Sequence, residues 1–403
     1  MRIVKLFLPG RFEDAYLYMG RLLVLTEERT LREYNLDRIT DFIDTGEQGY
    51  GYGYAPIATT MFARNDWLAS SQFKLLMQNN LLLQAFLAAL DRFPQPFLDL
   101  ANAAPAIIDV ELRIPGHLLL DMTIYNKRLY VGADTGLYHV DLDWNTNVPM
   151  TIHTPQRRMD ARCISTSANY GAVTASCGND GLFTILDDFG WSKRDTTPTP
   201  TETAKTSIRA GWMTYDLINY ATPTQPLVFR TRHEPARDDD RRAERDRTVL
   251  TNIGTEHISL SFLFDRIQQD YGIDRDAVQY TYNSNNMVFI HTWRGDFYFL
   301  GLKDIWGEEP SVRFTRTYKG EGTRILSAHW SKPGLVIETD ERVLLFAHGE
   351  WHAIIESAVL SVRTFPKSRR FQNLVAVTTE DGVLLAGMFD EEPTRNRAEP
   401  RRR

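Results

Sequence analysis

One unit recurs along this chain of 403 residues: a short β-rich run, a tight polar turn, and a second β-rich run. It reads RLLVLTEERTLREYNLD from Arg21, RLYVGADTGLYHVDLD from Arg128 and GAVTASCGNDGLFTILDD from Gly171. It returns as NMVFIHTWRGDFYFLGLKD from Asn286, GLVIETDERVLLFAHGE from Gly334 and NLVAVTTEDGVLLAGMFD from Asn373. The turns are rich in Asp, Asn and Gly, which supply the positive φ angles of tight hairpins. A further β-rich run often precedes the unit, as ARCISTSANY does before Gly171 and TRILSAHW before Ser331, so each unit holds three or four strands.

The turns near residues 134 and 180 lie 46 residues apart, those near 294 and 340 again 46, and the step to 381 is 41. A four-stranded propeller blade has a period of about 40–50 residues. The repeat resembles the β-propeller superfamily at large. The Gly-His and Trp-Asp marks of WD40 blades are missing from these units, so the resemblance goes no further than the superfamily. It implies an all-β chain, a β-propeller of about seven blades, in which the N-terminal strands complete the last blade and so protect the sheet edges.

Two gaps break the rhythm. Between the turns near 180 and 294 there is room for one more blade, with WMTYDLINY and PLVFRTRH as its first strands and TVLTNIG as the next. The charged segment 234–247 is then an enlarged hairpin turn, read as a solvated loop, with charged recognition as the alternative. Between the turns near 27 and 134 lies a helical passage, SSQFKLLMQNNLLLQAFLAALDRF, with Ser70 or Ser71 as N-cap and Pro94 as its end. Phe73, Leu76, Met77, Leu83, Phe86, Leu87 and Leu90 fall at helical spacing, an apolar face that must be buried on the chain itself or on a partner. The expected organisation is residues 1–47 as first blade, 48–110 as a Tyr/Gly loop and helical insertion between the first two blades, 111–390 as the remaining blades, and 391–403 as a disordered tail.

Composition narrows the function classes. An apolar fraction of 43% suffices for a core, and a formal charge of −6 opposes a dedicated nucleic-acid binder. KSRRF at 367–371 and the terminal arginines are the only hints toward nucleic acid. No apolar run is long enough to span a bilayer and no secretory leader is recognisable, so a cytoplasmic protein is expected. Its two cysteines, Cys163 and Cys177, are then expected as buried free thiols.

No catalytic signature stands out. The nine histidines form no metal pattern; His348 and His352, four apart, sit in a strand–turn–strand context. Asp134, Asp180, Asp296, Asp340 and Asp381 recur at the hairpin turns, where Asp bonds its own following backbone. No cofactor and no metal site is expected. In QGYGYGYAP, residues 48–56, the glycines lack the lysine and helix start of a phosphate loop. Tyr50, Tyr52 and Tyr54 offer large rigid contact area on an adaptable backbone, so they are the candidate partner-binding residues, with packing under the insertion as the alternative. The expected function is a non-catalytic scaffold binding protein partners through inserted loops, as one subunit of a complex. A hydrolase or lyase with a polar site at the central channel is the competing reading. Convergent charged groups with shifted pKa would favour the enzyme, an exposed apolar patch on an insertion the scaffold.

Overall fold

The computed structural model describes residues 1–44, 54–98, 108–143, 151–169, 171–186, 199–213, 215–235, 248–308, 310–320 and 323–391. These residues form seven antiparallel sheets, the blades of a seven-bladed β-propeller. Blade one runs through Phe12–Tyr18, Arg21–Thr26, Thr30–Asn35 and Ile108–Glu111. Blade two has Leu119–Tyr125, Arg128–Ala133, Gly136–Asp143 and Gln156–Met159, with the short Thr151–Ile152 beside its third strand. Blade three is Ser165–Asn169, Ala172–Ser176, Leu182–Leu186 and Thr201–Ala204. Blade four is Arg209–Met213, Asp216–Tyr220, Pro226–Pro235 and Thr248–Ser259. Blade five is Val278–Ser284, Met287–Thr292, Asp296–Lys303 and Ser311–Lys319. Blade six is Ile325–Trp330, Leu335–Thr339, Val343–Ala347 and Glu350–Ile355. Blade seven takes Ser361–Thr364, Leu374–Thr379 and Gly382–Phe389 from the end of the chain, and Arg2–Pro9 from its beginning.

The expected closure is therefore present: Arg2 pairs with Phe389 and Pro9 with Gly382 across an unbroken eight-residue register. The blade placed between residues 180 and 294 is also there, with the third and fourth strands paired from Leu227–Ser259 to Pro235–Thr248 through register shifts after Phe229 and after Arg232. Residues 236–247 of the charged loop lie outside the described residues, as do 392–403 of the expected tail.

Contacts divide the chain into two compact units. Blades two to five, residues 113–324, form one. Blades six, seven and one, with the helical insertion, form the other. Within each unit the first strands of consecutive blades touch one another, which makes them the innermost strands. Middle strands are buried on both faces: every residue of Leu374–Thr379 and of Gly382–Phe389 is buried. That burial explains why these runs read as near-continuous apolar stretches rather than as alternations. A helix that the repeat does not announce, Phe262–Tyr271, follows blade four. It buries Leu263, Phe264 and Ile267 and ends on Gly272 at φ 67°.

The insertion lies ahead of blade two, as expected, and leaves blade one between its third and fourth strands. It opens with the helix Leu36–Asp44, whose first turn is capped by Asn35 Oδ1 accepting from the Asp37 amide at 2.9 Å. Leu36, Ile39, Thr40 and Ile43, at helical spacing, are buried. The passage expected as one helix from residue 70 is two. Ser70 caps Ser71–Leu76, accepting from the Phe73 amide, and Asn79 caps Asn80–Asp91, accepting from Leu81 and Leu82. The asparagine side chain satisfies the new helix start, so the chain turns at Met77–Asn79 instead of running straight. Residues 96–98 then run beside Arg2–Pro9, with the Phe7 amide donating to Pro96 and the Leu98 amide donating to Phe7. That contact covers part of the outer edge of blade seven.

Candidate protein-interaction site

One continuous core joins blades one and seven to the insertion. Phe73, Met77, Leu83, Leu87 and Leu90 of the helical hairpin are buried in it, together with Leu6, Leu17, Phe365 and Leu385 of the blades. Polar pins flank this core. Arg370 reaches from blade seven to accept nothing and donate twice, to the Ala63 carbonyl and to Asp37 Oδ1 at 3.2 Å. Asn65, fully buried, donates to the Met61 carbonyl and accepts from the Asn373 amide at 3.1 Å. The second arginine in KSRRF thus ties the insertion to blade seven.

Of the apolar face predicted for the hairpin, Phe73, Met77, Leu83, Leu87 and Leu90 are buried, Phe86 is half-buried and Leu76 is exposed. The hairpin has more leucines than its buried face holds. Leu75 is 67% exposed, Leu76 44%, Leu81 80% and Leu82 45%. Beside them is a groove of about 190 Å³. Leu68, Phe73, Pro333 and Phe389 form its apolar wall, with Lys74 and Lys332 at its margin. The signal for this face was present in the sequence as the contiguous run LLMQNNLLL. A single helical face cannot absorb leucines at consecutive positions.

Of the sequence-derived candidates, Tyr50 and Tyr52 lie outside the described residues. Tyr54 is half-buried against the shared core, its ring edge-on to Phe93 at 6.0 Å. Its carbonyl accepts from the Ala58 amide at the start of the next helical turn. The described tyrosine therefore packs against the core of the insertion.

Innermost strands within each unit carry polar groups that sequence reasoning missed. Asp14 accepts from its neighbour Ala15, from Ser361 Oγ at 2.7 Å, and from Arg363 at 3.1 and 2.5 Å. It ties blade one to blade seven. Asp121 plays the same part in blade two, accepting from Met122 and, across to blade three, from Thr166 at 2.6 Å. Both follow a bulge in the innermost strand and stand four residues before its terminal tyrosine, Tyr18 or Tyr125. That shared Asp-x-x-x-Tyr is the sequence signal. In blade six Ser327 Oγ is hydrogen-bonded both to His329 Nε2 at 2.8 Å and to Glu338. Burial raises the Glu338 pKa, opposed by the Ser327 hydrogen bond and the Arg363 charge. A serine activated as nucleophile needs its base on Oγ and a carboxylate on the base's far nitrogen. Here base and carboxylate share the same Oγ, and the arginine is neutralised by Asp14.

The remaining candidates lie in hairpin turns or in the core. His348 and Gly349, at φ 53° and 86°, form a tight hairpin turn, and His348 Nε2 lies 2.9 Å from Asp390 Oδ2. Asp134 accepts from the His117 amide, a hydrogen bond that lowers its pKa. Among the described residues no group of His, Cys, Asp and Glu could hold a metal ion. Cys163 and Cys177 are free and buried, and the hydrogen bond that the Cys163 thiol donates to Cys177, with burial, raises the Cys163 pKa well above the usual thiol range. No described helix is long and apolar enough to cross a membrane.

No family model and no curated protein matches the chain. Solved structures to which it is similar include Kluyveromyces lactis Hsv2, at 10% identity over 94% of this chain and 90% of that one, TM-score 0.42. The WD40 β-propeller domain of Doa1 is 10% identical over 96% and 97%, TM-score 0.47. The β-propeller domain of Myceliophteria thermophila Cps50 (Swd1) is 7% identical over 94% and 97%, TM-score 0.46. Likenesses at 7–10% identity assign the chain to no family, and its function is argued from its own residues.

Proposed function

We propose that this protein is a non-catalytic, cytoplasmic β-propeller scaffold that docks a protein partner through its helical insertion, as one subunit of a larger complex. The observation that carries the reading is the exposure of Leu75, Leu76, Leu81 and Leu82 on a hairpin whose opposite face is already used in the core. Contiguous exposed apolar side chains on a soluble domain mark interaction surfaces. Covering one leucine fully contributes about 1.5–3 kcal/mol, so a partner that covers several gains a useful share of a specific interface. Tyr50, Tyr52 and Tyr54 are proposed to bind the same partner, since they precede the helical hairpin in the sequence of the same insertion.

The competing hydrolase or lyase reading rests on Ser327, His329 and Glu338. The shared hydrogen bonding at Ser327 Oγ supports a structural cluster instead.

Replacing the four leucines by serine tests the proposal. Exposed substitutions of this kind change stability by about 0.5 kcal/mol or less each. The expected variant melts close to the wild type and no longer recovers the partner that wild-type protein brings down from its own cells. Undiminished recovery would overturn the docking surface.

A further inference from the structure

The groove beside the leucines has a chemistry that specifies its occupant. Its volume of about 190 Å³ accommodates one bulky apolar side chain, and Phe73, Phe389, Leu68 and Pro333 offer that side chain apolar contact. Its charged margin is cationic. Lys332 donates to the neutral amide of Gln372 at 3.2 Å, and Lys74 makes no ion pair among the described residues. The one carboxylate at the groove, Asp390, lies 2.9 Å from His348 Nε2, so the two lysines outnumber it and the margin is cationic on balance. Two lysines without anionic partners flank an apolar slot in a chain whose formal charge is −6. The chain's own terminal segment does not fit: residues 392–403 carry Arg395, Arg397, Arg401, Arg402 and Arg403 against Glu392 and Glu399, the same sign as the margin.

We infer that the groove takes an acidic segment of a partner protein, with one bulky apolar side chain lodged over Phe73 and Phe389 and flanking carboxylates on Lys74 and Lys332. The inference rests on the docking reading above and names the chemistry of the partner. The apolar side chain supplies affinity, because it leaves water for a preformed slot. The lysines supply selection, since a basic segment would meet two like charges.

The test uses the full chain and a displayed library of short random peptides. The expected recovered sequences share a Phe, Leu, Ile or Trp flanked by Asp or Glu. A synthetic peptide of the recovered sequence is expected to bind the Lys74→Glu/Lys332→Glu variant at least about tenfold more weakly than wild type. Both lysines are exposed, so the melting temperature of the variant stays near that of the wild type. Replacing the apolar residue of the peptide by alanine is expected to abolish binding. Recovery of no binder, recovery of binders without acidic enrichment, or equal affinity for the charge-reversed variant each overturns the inference. The two readings fail separately. If the leucine-to-serine variant loses its cellular partner while the charge-reversed variant keeps it, docking stands and the groove falls. If the charge-reversed variant loses the peptide while the leucine-to-serine variant keeps its partner, the groove stands and leucine docking falls.

Discussion

The ring of Phe86, on the outer helix of the insertion, stands edge-on to that of Phe389 in the last propeller strand, with 5.1 Å between centroids and 80° between planes. Phe73 approaches the same ring from the first helix at 6.0 Å and 84°. Edge-to-face packing of this kind adds about 0.5–1.5 kcal/mol to area burial. The insertion therefore shares the core of blade seven. Phe389→Ala is expected to destabilise the protein by about 3–5 kcal/mol, the range for a buried phenylalanine. Chemical denaturation checks the magnitude. Hydrogen exchange is expected to show residues 71–91 losing protection more than blades three to five. A loss below about 1 kcal/mol, with the hairpin still protected, contradicts a shared core.

Gly20 and Arg370 fit against each other. Gly20 has φ +86°, and a Cβ there would lie 2.3 Å from an Arg370 guanidinium nitrogen. Gly20→Asn tolerates the backbone angle better than most residues but still meets the arginine. It is expected to cost about 1–3 kcal/mol in the wild type and clearly less in an Arg370→Ala background. Additive costs in the double-mutant cycle would show that the contact is not responsible.

The legible and illegible parts of the fold divide along physical lines. Asp-Gly and related turns between apolar runs are local signals, so most hairpins were readable before any tertiary contact was known. Pairing of Arg2–Pro9 with Gly382–Phe389 is not local, but closure demands it. The interruption at Met77–Asn79 was harder, because Asn79 is compatible with either a helix interior or a cap, and only tertiary packing decides. Ile108–Glu111 is a four-residue edge strand far from its partner Thr30–Asn35, with too few residues to show alternation. The site divided likewise. The apolar hairpin was visible, yet which leucines stay exposed depends on where Phe389 and Leu385 lie. Asp14 and Asp121 stand inside strands, where a single acidic residue carries no local signal, whereas an acidic residue at a turn does.

His291 gives the protein a specific acid sensitivity. It is buried against Phe297, with ring centroids 4.5 Å apart, and its Nδ1 lies 2.8 Å from Gln279 Oε1. Burial lowers its pKa from the ordinary 6.5 to about 4. Well above pH 6.5 the imidazole is neutral in both states and contributes no pH dependence. Between about 6.5 and 4 the unfolded chain takes up a proton that the folded protein refuses, so stability falls with falling pH, by at most about 1.4 kcal/mol per unit. His291→Phe is expected to melt near the wild type at pH 7 and to gain on it progressively down to pH 4. Parallel melting curves across that range contradict the assignment.

Site-specific photo-crosslinking in the protein's own cells tests the docking claim most directly. A photoreactive phenylalanine analogue is placed singly at Leu75 and at Leu81, and for comparison at two exposed apolar positions in blades four and five, Tyr215 and Trp293. Substitution at all four sites leaves the core untouched, so loss of fold does not confound the outcome. The account predicts a discrete heavier adduct with another protein from positions 75 and 81, and none of that mass from 215 or 293. No adduct from the hairpin, or the same adduct from all four positions, would contradict it.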